Sequence, residues 1–242
     1  MKHIELNDKV FALVEKMKAE LSSTVKLSNT SKLGVKSWSL QAINTCPASI
    51  GADGELVDAC RGCYATSGNY RFANVKAPRE FNRLAWQEES FTADFIKALH
   101  KERFFRWFDS GDMYDLRLAH KMLEIMKATP HVQHWLPSRM HKFKKFHAVI
   151  EQMAALDNVV VRLSSDSVTG ELVQSELTDT NSTIVPEGVL GEYDGFICQA
   201  FYQEGKCLDC TACYNKDVKT VAYVGHGVSM KKNQKLISVV GV

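Results

Sequence analysis

A chain of 242 residues is long enough for one large domain or two small ones, each with a real core. Its 45% hydrophobic and 24% charged residues are ordinary for a globular protein, and a formal net charge of +2 neither favours nor opposes a nucleic-acid partner. No apolar run approaches the roughly 20 residues that span a bilayer, so no membrane partner is expected. The first 18 residues alternate charged and apolar types rather than resembling a signal peptide. A reducing, cytoplasmic setting follows as the expectation. There, seven cysteines falling into two clusters point to metal binding before disulfides.

Residues 7–20 carry Val10, Phe11, Leu13, Val14 and Met17 at amphipathic helical spacing, with Asp8 as a candidate cap. A polar stretch over 22–32 leads to a strand-like run at 35–43, which delivers the chain to Cys46. Residues 77–103 read as one helix, and 104–108 as an apolar strand ending at Asp109-Ser110-Gly111-Asp112. A helix over 116–127 stops before Pro130; a strand over 131–136 then runs into Pro137-Ser138-Arg139. Another helix over 143–156 precedes the clearest strand, 158–163, which ends at Ser164-Ser165-Asp166-Ser167. Residues 169–194 are looser. A last core strand is expected over 196–201, carrying Cys198, before Cys207, Cys210 and Cys213. The segment 220–224 and a basic tail with an apolar end close the chain.

Strands alternating with helices predict an α/β fold with a parallel sheet. In such folds ligands sit outside the carboxyl ends of the strands. Here four successive strand ends carry cysteines, then DSGD, PSR and SSDS. The expected organisation is a helix and linker over 1–34, an α/β core over 35–200, and a small Cys-rich extension over 201–242.

Cys46, Cys60 and Cys63 are spaced C-x13-C-x2-C in a glycine-bearing loop. A structural zinc site needs four ligands, and the local count stops at three. Three thiolates on an iron–sulfur cluster leave one iron open for a substrate or cofactor. Zinc completed by a distant His or Asp is the alternative, and three buried thiols without metal the bland reading. Asp109 and Asp112 would otherwise cap the next helix, the serines around Asp166 would be turn residues, and Arg139 a surface charge.

Three cysteines in the loop after the first strand of an α/β barrel, with Tyr64 beside the last, resemble a radical S-adenosylmethionine (SAM) enzyme. The usual spacing there is C-x3-C-x2-C; the first gap here is longer by ten residues, as in variants of the enzyme forming 7-carboxy-7-deazaguanine. The order of motifs also resembles a phage-protein family called gene product 88, with its CP…CxxCYA start, DSGD strand end and later CxxC-rich segment. That likeness covers roughly residues 30–227. The superfamily resemblance implies a partial or complete parallel (β/α) barrel with a [4Fe–4S] cluster on Cys46, Cys60 and Cys63. SAM would chelate the fourth iron, and an electron donor would be a partner. It further implies SAM contacts from Tyr64, Ser110, Gly111, Asp112, Arg139 and Ser165, although Tyr64 follows the last cysteine where the superfamily's aromatic precedes it. Asp112 would accept from the SAM ammonium, and Asp109 and Asp112 are the candidate catalytic carboxylates. A phage origin would suggest a nucleotide or nucleic-acid substrate.

Cys198, Cys207, Cys210 and Cys213 supply four thiolates in sixteen residues, and CxxCxxC is a strong metal signal. A second [4Fe–4S] cluster and a zinc site compete there, with His226 as an extra candidate ligand. Two other readings stay open. One is a zinc-dependent, transglycosylase-like base-exchange enzyme with Asp109 as its catalytic aspartate. The other is a metal-stabilised nucleic-acid-binding protein using the basic segment at 139–147.

Overall fold

The structure is a computed structural model describing residues 4–30, 32–190 and 193–240. Eight strands form one mostly parallel sheet: β1 (Ser28–Asn29), β2 (Lys36–Trp38), β3 (Phe104–Trp107), β4 (Gln133–Ser138), β5 (Val159–Ser164), β6 (Asn181–Val185), β7 (Phe196–Ile197) and β8 (Thr220–Val224). Their order across the sheet is β1-β2-β3-β4-β5-β6-β8-β7. Only the β1–β2 pair is antiparallel. From β2 to β8 the spatial order follows the chain, apart from β7 at the edge. Over β2 to β6 each strand lies beside its predecessor, and the order turns back only at the edge, where β8 lies between β6 and β7. It is open, with β1 and β7 as its edges among the described residues.

The helices are α1 (Asp8–Glu20), α2 (Asp58–Arg61), α3 (Ala73–Ala85), α4 (Phe91–Leu99), α5 (Leu116–Ala128), α6 (His147–Ala154) and α7 (Val228–Val240). Helix α5 packs against both α4 and α6, as right-handed crossovers in one direction require. The main core lies between these helices and the sheet. Trp38, Phe105, Trp107, Leu136, Val159, Val161 and Leu163 supply its sheet side; Phe91, Phe95, Leu99, Met122 and Ile150 supply its helix side. Alternation along each strand puts Arg106, Trp135, Ser164 and Tyr223 on the other face. Helix α1 packs on α3 through Val10, Val14, Ala77 and Phe81. Asn7 caps α1 by accepting from Val10 N at 3.2 Å, the role expected of Asp8.

Several elements differ from expectation. The helix expected over 77–103 is two, α3 and α4, because the chain turns at residues 86–90. The strand expected over 35–43 is regular only at Lys36–Trp38, and the one expected over 196–201 only at Phe196–Ile197. Strand β6 arises within the stretch read as loose. Residues 220–224, expected in an extension, form β8 in the same sheet and pair with β6. The basic tail forms α7, which packs on α2.

Candidate functional site

The end of β2, the loop that follows it and the ends of β3, β4 and β5 enclose a cavity of ≈ 140 Å³. Cys46, Cys60 and Cys63 all line it, with Ser110, Gly111, Asp112 and Arg139. Chain geometry brings them together. Leu40 N donates to Ser110 O at 2.9 Å and Asp112 N to Thr45 O at 3.1 Å, pinning the DSGD turn to the loop before Cys46. Gly111 (φ +86°) permits this: a Cβ there would stand 2.6 Å from Leu40 Cβ and 2.8 Å from Thr45 Oγ1. Ile43 (φ 66°) and Phe108 (φ 55°) also line the cavity, and both hold a left-handed backbone that non-glycine residues avoid. Such strain clusters at functional sites.

The CxxC turn is covered from outside by α7. A Cβ on Gly62 would lie 2.9 Å from Met230 Cα, so only glycine admits the helix this close. Asn233 Nδ2 donates to Asp58 O at 2.7 Å across the same contact.

Burial pushes all three thiols up. Cys46 is raised further by Asp112 and by Cys60, and Cys63 reaches about 11 with Cys60 adding to the effect of burial. For Cys60 the opposing influence is Arg139, then Lys142. Three thiolates without a compensating cation would be costly here, and a positively charged metal core is the chemical complement such a donor set lacks. In its chemistry the donor set fits a thiolate-bound metal centre, an iron–sulfur cluster among them. Among the described residues no three His, Cys, Asp or Glu side chains are gathered closely enough to hold a single ion.

Asp112 is buried, and its carboxylate accepts from Met113 N (2.8 Å), Ser138 Oγ (2.8 Å) and Arg139 N (2.9 Å). Burial nevertheless raises its pKa, since desolvation outweighs these donors. Asp109 is more heavily committed: Arg106 Nη1 lies at 3.0 Å, Arg79 Nη2 at 3.4 Å, and Tyr70 Oη also donates to it. Its carbonyl accepts from Tyr64 Oη at 2.6 Å. Neither aspartate caps α5; Asp115 does, accepting from Arg117 N at 2.8 Å. Ser110 Oγ donates to Leu40 O and accepts from Arg79 Nε, both at 2.7 Å. Arg139 turns inward: Nη2 donates to Ser165 O at 2.7 Å, and Nε stands 3.3 Å from Asp166 Oδ1, an ion pair without hydrogen-bond alignment. Ser165 Oγ accepts from Ser167 N at 3.1 Å, the turn role weighed for it. Lys142 also points inward, to Asp166 (2.6 Å) and Ala48 O (3.0 Å).

The sequence matches the model of the family described as Gene product 88 over residues 12–216, which include all seven cysteines. The chain belongs to the Gene product 88 family. No curated protein matches it, and no solved structure does. No helix of the described residues is long and apolar enough to cross a membrane.

The family member's second cysteine group does not hang off the sheet. Cys198, Cys207 and Cys213 line a second cavity of ≈ 240 Å³ on the inner face of the sheet; Tyr64, Pro137, Arg139 and Ser164 line both cavities. Burial raises Cys207 to about 11 against Lys32, which lowers it, and burial also raises Cys213. Cys213 Sγ stands 3.5 Å from Tyr223 Oη. Cys210 is half-buried, and the exposed His226 sits at the cavity's rim. Sequence reasoning missed Arg79, Arg106, Lys142 and Arg162, all charged residues on or beside apolar elements. The signal was there: a lone arginine inside FFRWF and another inside VVVRL.

Proposed function

We propose that this protein is an iron–sulfur enzyme of the radical SAM kind, built on a partial parallel barrel. The carrying observation is that three cysteine thiols and the Ser110-Gly111-Asp112 turn line one cavity at the carboxyl ends of successive parallel strands. Five strands in chain order, β2 to β6, lie side by side and parallel, with β8 parallel beside β6; this supports the barrel reading, because a doubly wound sheet would reverse its order near the middle.

In this reading Cys46, Cys60 and Cys63 hold a [4Fe–4S] cluster, each thiolate on a different iron. When bound, cluster and SAM supply one-electron reductive cleavage of SAM and hydrogen abstraction from a substrate.

The chain's own residues bind and orient. Three donors hold the Asp112 carboxylate in place and leave acceptor capacity for an ammonium group. The Arg139 guanidinium, fixed by Ser165 O and Asp166, offers charge to a carboxylate. Gly111 keeps the turn free of a side chain. Helix α7 and the aromatic residues near Tyr64 keep water from the thiols. Asp109, engaged by Arg79, Arg106 and Tyr70, positions Tyr64 and the turn. Cys198, Cys207, Cys210 and Cys213 are assigned in this reading to a second metal centre, iron–sulfur or zinc; zinc would require them to draw together, since no three such side chains among the described residues are gathered to hold a single ion.

Equilibrium dialysis of anaerobically purified, iron-loaded protein against SAM tests this. One SAM per chain is expected, lost in Cys60→Ser. No SAM binding by iron-loaded protein would overturn the reading.

A further inference from the structure

The larger cavity lies between the first cysteine cavity and the second cysteine group, whose Cys198, Cys207 and Cys213 form part of its wall; apart from those thiols its ionisable lining is one-sided in charge. Lys32, Arg106 and Arg139 line it, His226 stands at its rim, and no Asp or Glu does so among the described residues. The carboxylates that pair with Arg106 and Arg139, Asp109 and Asp166, are not in that wall. Lys32 has no carboxylate partner among the described residues; its ammonium stands 5.8 Å from the Tyr223 ring centroid.

Hydrogen-bond donors are also in surplus. Arg106 and Trp135 are register partners on β3 and β4, stacked with the guanidinium 4.7 Å from the ring centroid. Arg106 Nε and Trp135 Nε1 are buried without any acceptor, and Thr183 Oγ1, from a third lining residue, is unpartnered too. Trp135 is 4% exposed and Thr183 2%. Buried donors are normally satisfied, so these residues of the cavity wall carry hydrogen-bonding capacity that the protein's own groups do not use. The rest of the wall combines the flat or apolar side chains of Trp135, Tyr64, Tyr223, Pro137 and Ile184 with the hydroxyls of Ser164, Ser165 and Ser182 and the three thiols.

We infer that this cavity binds a small molecule combining a planar ring with one anionic group, a carboxylate or a phosphate. The ring lies among the aromatic side chains, and Lys32 supplies charge to the anion. At ≈ 240 Å³ the space is at or below the low end of ligand pockets, which run about 300–1,000 Å³, so the ligand is a metabolite and not a strand. This deepens the enzyme reading: the ligand would be the substrate, beside the first cysteine cavity.

The test is equilibrium dialysis of the anaerobically purified protein against paired probes. Quinaldate is set against quinaldamide, and the four 2′-deoxynucleoside 5′-monophosphates against their nucleosides. Each pair differs in the anion, and the two sets separate carboxylate from phosphate. The expected result is one anionic probe bound per chain, with its neutral partner at least ~10-fold weaker. Lys32→Gln should weaken that probe at least ~10-fold with iron content and visible spectrum unchanged; the Lys32 carbonyl that accepts from Cys207 N at 2.8 Å belongs to the backbone and survives the change. Equal binding of neutral partners, no binding of any anionic probe, or an unchanged affinity in Lys32→Gln would overturn the inference. So would loss of iron in that variant, since Lys32 would then serve the thiolates. Protein that carries no iron yet discriminates the pairs would sink the enzyme reading and leave this site standing.

Discussion

Arg162 Nε donates to the carbonyl of Cys213 at 3.2 Å, from a side chain with no exposure to solvent. The same guanidinium donates to Val218 O (2.7 Å), Ala212 O (2.8 Å) and Asn215 O (2.9 Å), and no carboxylate pairs with it among the described residues. One arginine on β5 thus fastens the last turn of the second cysteine group to the inner face of the sheet. Tyr214, from that turn, packs against Phe104 and Trp135 with ring centroids 5.0 and 5.9 Å away.

Arg162→Met leaves five carbonyls, that of Asn181 included, without this donor, and should cost about 3–5 kcal/mol in denaturant unfolding. The metal of the second cysteine group should be lost while that of the first is retained. Arg162→Lys should fall between, because an ammonium cannot reach the same fork of acceptors. Equal stability in all three proteins would remove Arg162 from this role.

Gly111→Ala places a Cβ against Leu40 and Thr45 on a backbone at φ +86°. A destabilisation of about 1–3 kcal/mol is expected from the left-handed conformation alone. Since the same turn lines the first cavity, SAM affinity should fall with it. A variant with wild-type unfolding and dialysis would show that the turn moves freely.

Asp112→Ala strands the donors of Met113, Ser138 and Arg139, whereas Asp112→Asn keeps an acceptor for at least one of them. Alanine should therefore cost about 1–3 kcal/mol more in stability than asparagine. SAM affinity should drop by about tenfold or more in both, because both remove the charge opposite the ammonium. Asparagine binding SAM as the wild type does would leave Asp112 a structural residue only.

His134 makes stability depend on acid. Burial lowers its pKa to about 3. Trp107 Nε1 donates to its Nδ1 at 3.2 Å, which leaves Nε2 to carry the proton toward Thr129 Oγ1 at 2.9 Å. The neutral ring is the folded form, while the unfolded chain takes up a proton near pH 6.5. Stability contributed by His134 is thus present above about pH 6.5 and is lost as pH falls toward 3, by at most about 1.4 kcal/mol per pH unit. In His134→Leu that slope should flatten over the window, with a lower plateau at pH 7 because Trp107 Nε1 loses its acceptor. An unchanged slope would assign the acid dependence to other groups.

Much of this arrangement could be read from the chain, for identifiable reasons. Strand β5 is buried on both faces and announces itself as VVVRL, while α5 keeps a clean apolar stripe ended near Pro130. The gathering of cysteines, DSGD and PSR at strand ends follows from parallel topology, so the lining of the first cavity was legible. Strand β6 was not. Asn181, Ser182 and Thr183 are buried polar residues between two other strands, and no apolar alternation marks them. The placement of the second cysteine group was hidden too. It depends on Arg162 meeting Ala212, 50 residues on, and Trp135 meeting Tyr214, 79 residues on, contacts that local spacing does not encode. The turning of Arg139 and Lys142 toward Asp166 was hidden as well, since the basic segment at 139–147 reads locally as surface charge or a nucleic-acid contact.

The measurement that bears most directly on the central claim is iron, sulfide and zinc content of anaerobically purified protein, compared with Cys46→Ser, Cys60→Ser and Cys63→Ser. A cluster on these cysteines predicts about four irons and four sulfides at the first site, with a broad visible shoulder. All three variants should lose that complement while the metal of the second cysteine group, iron or zinc, remains. Colourless wild-type protein without iron, or iron content unchanged by removing Cys60, would contradict the account.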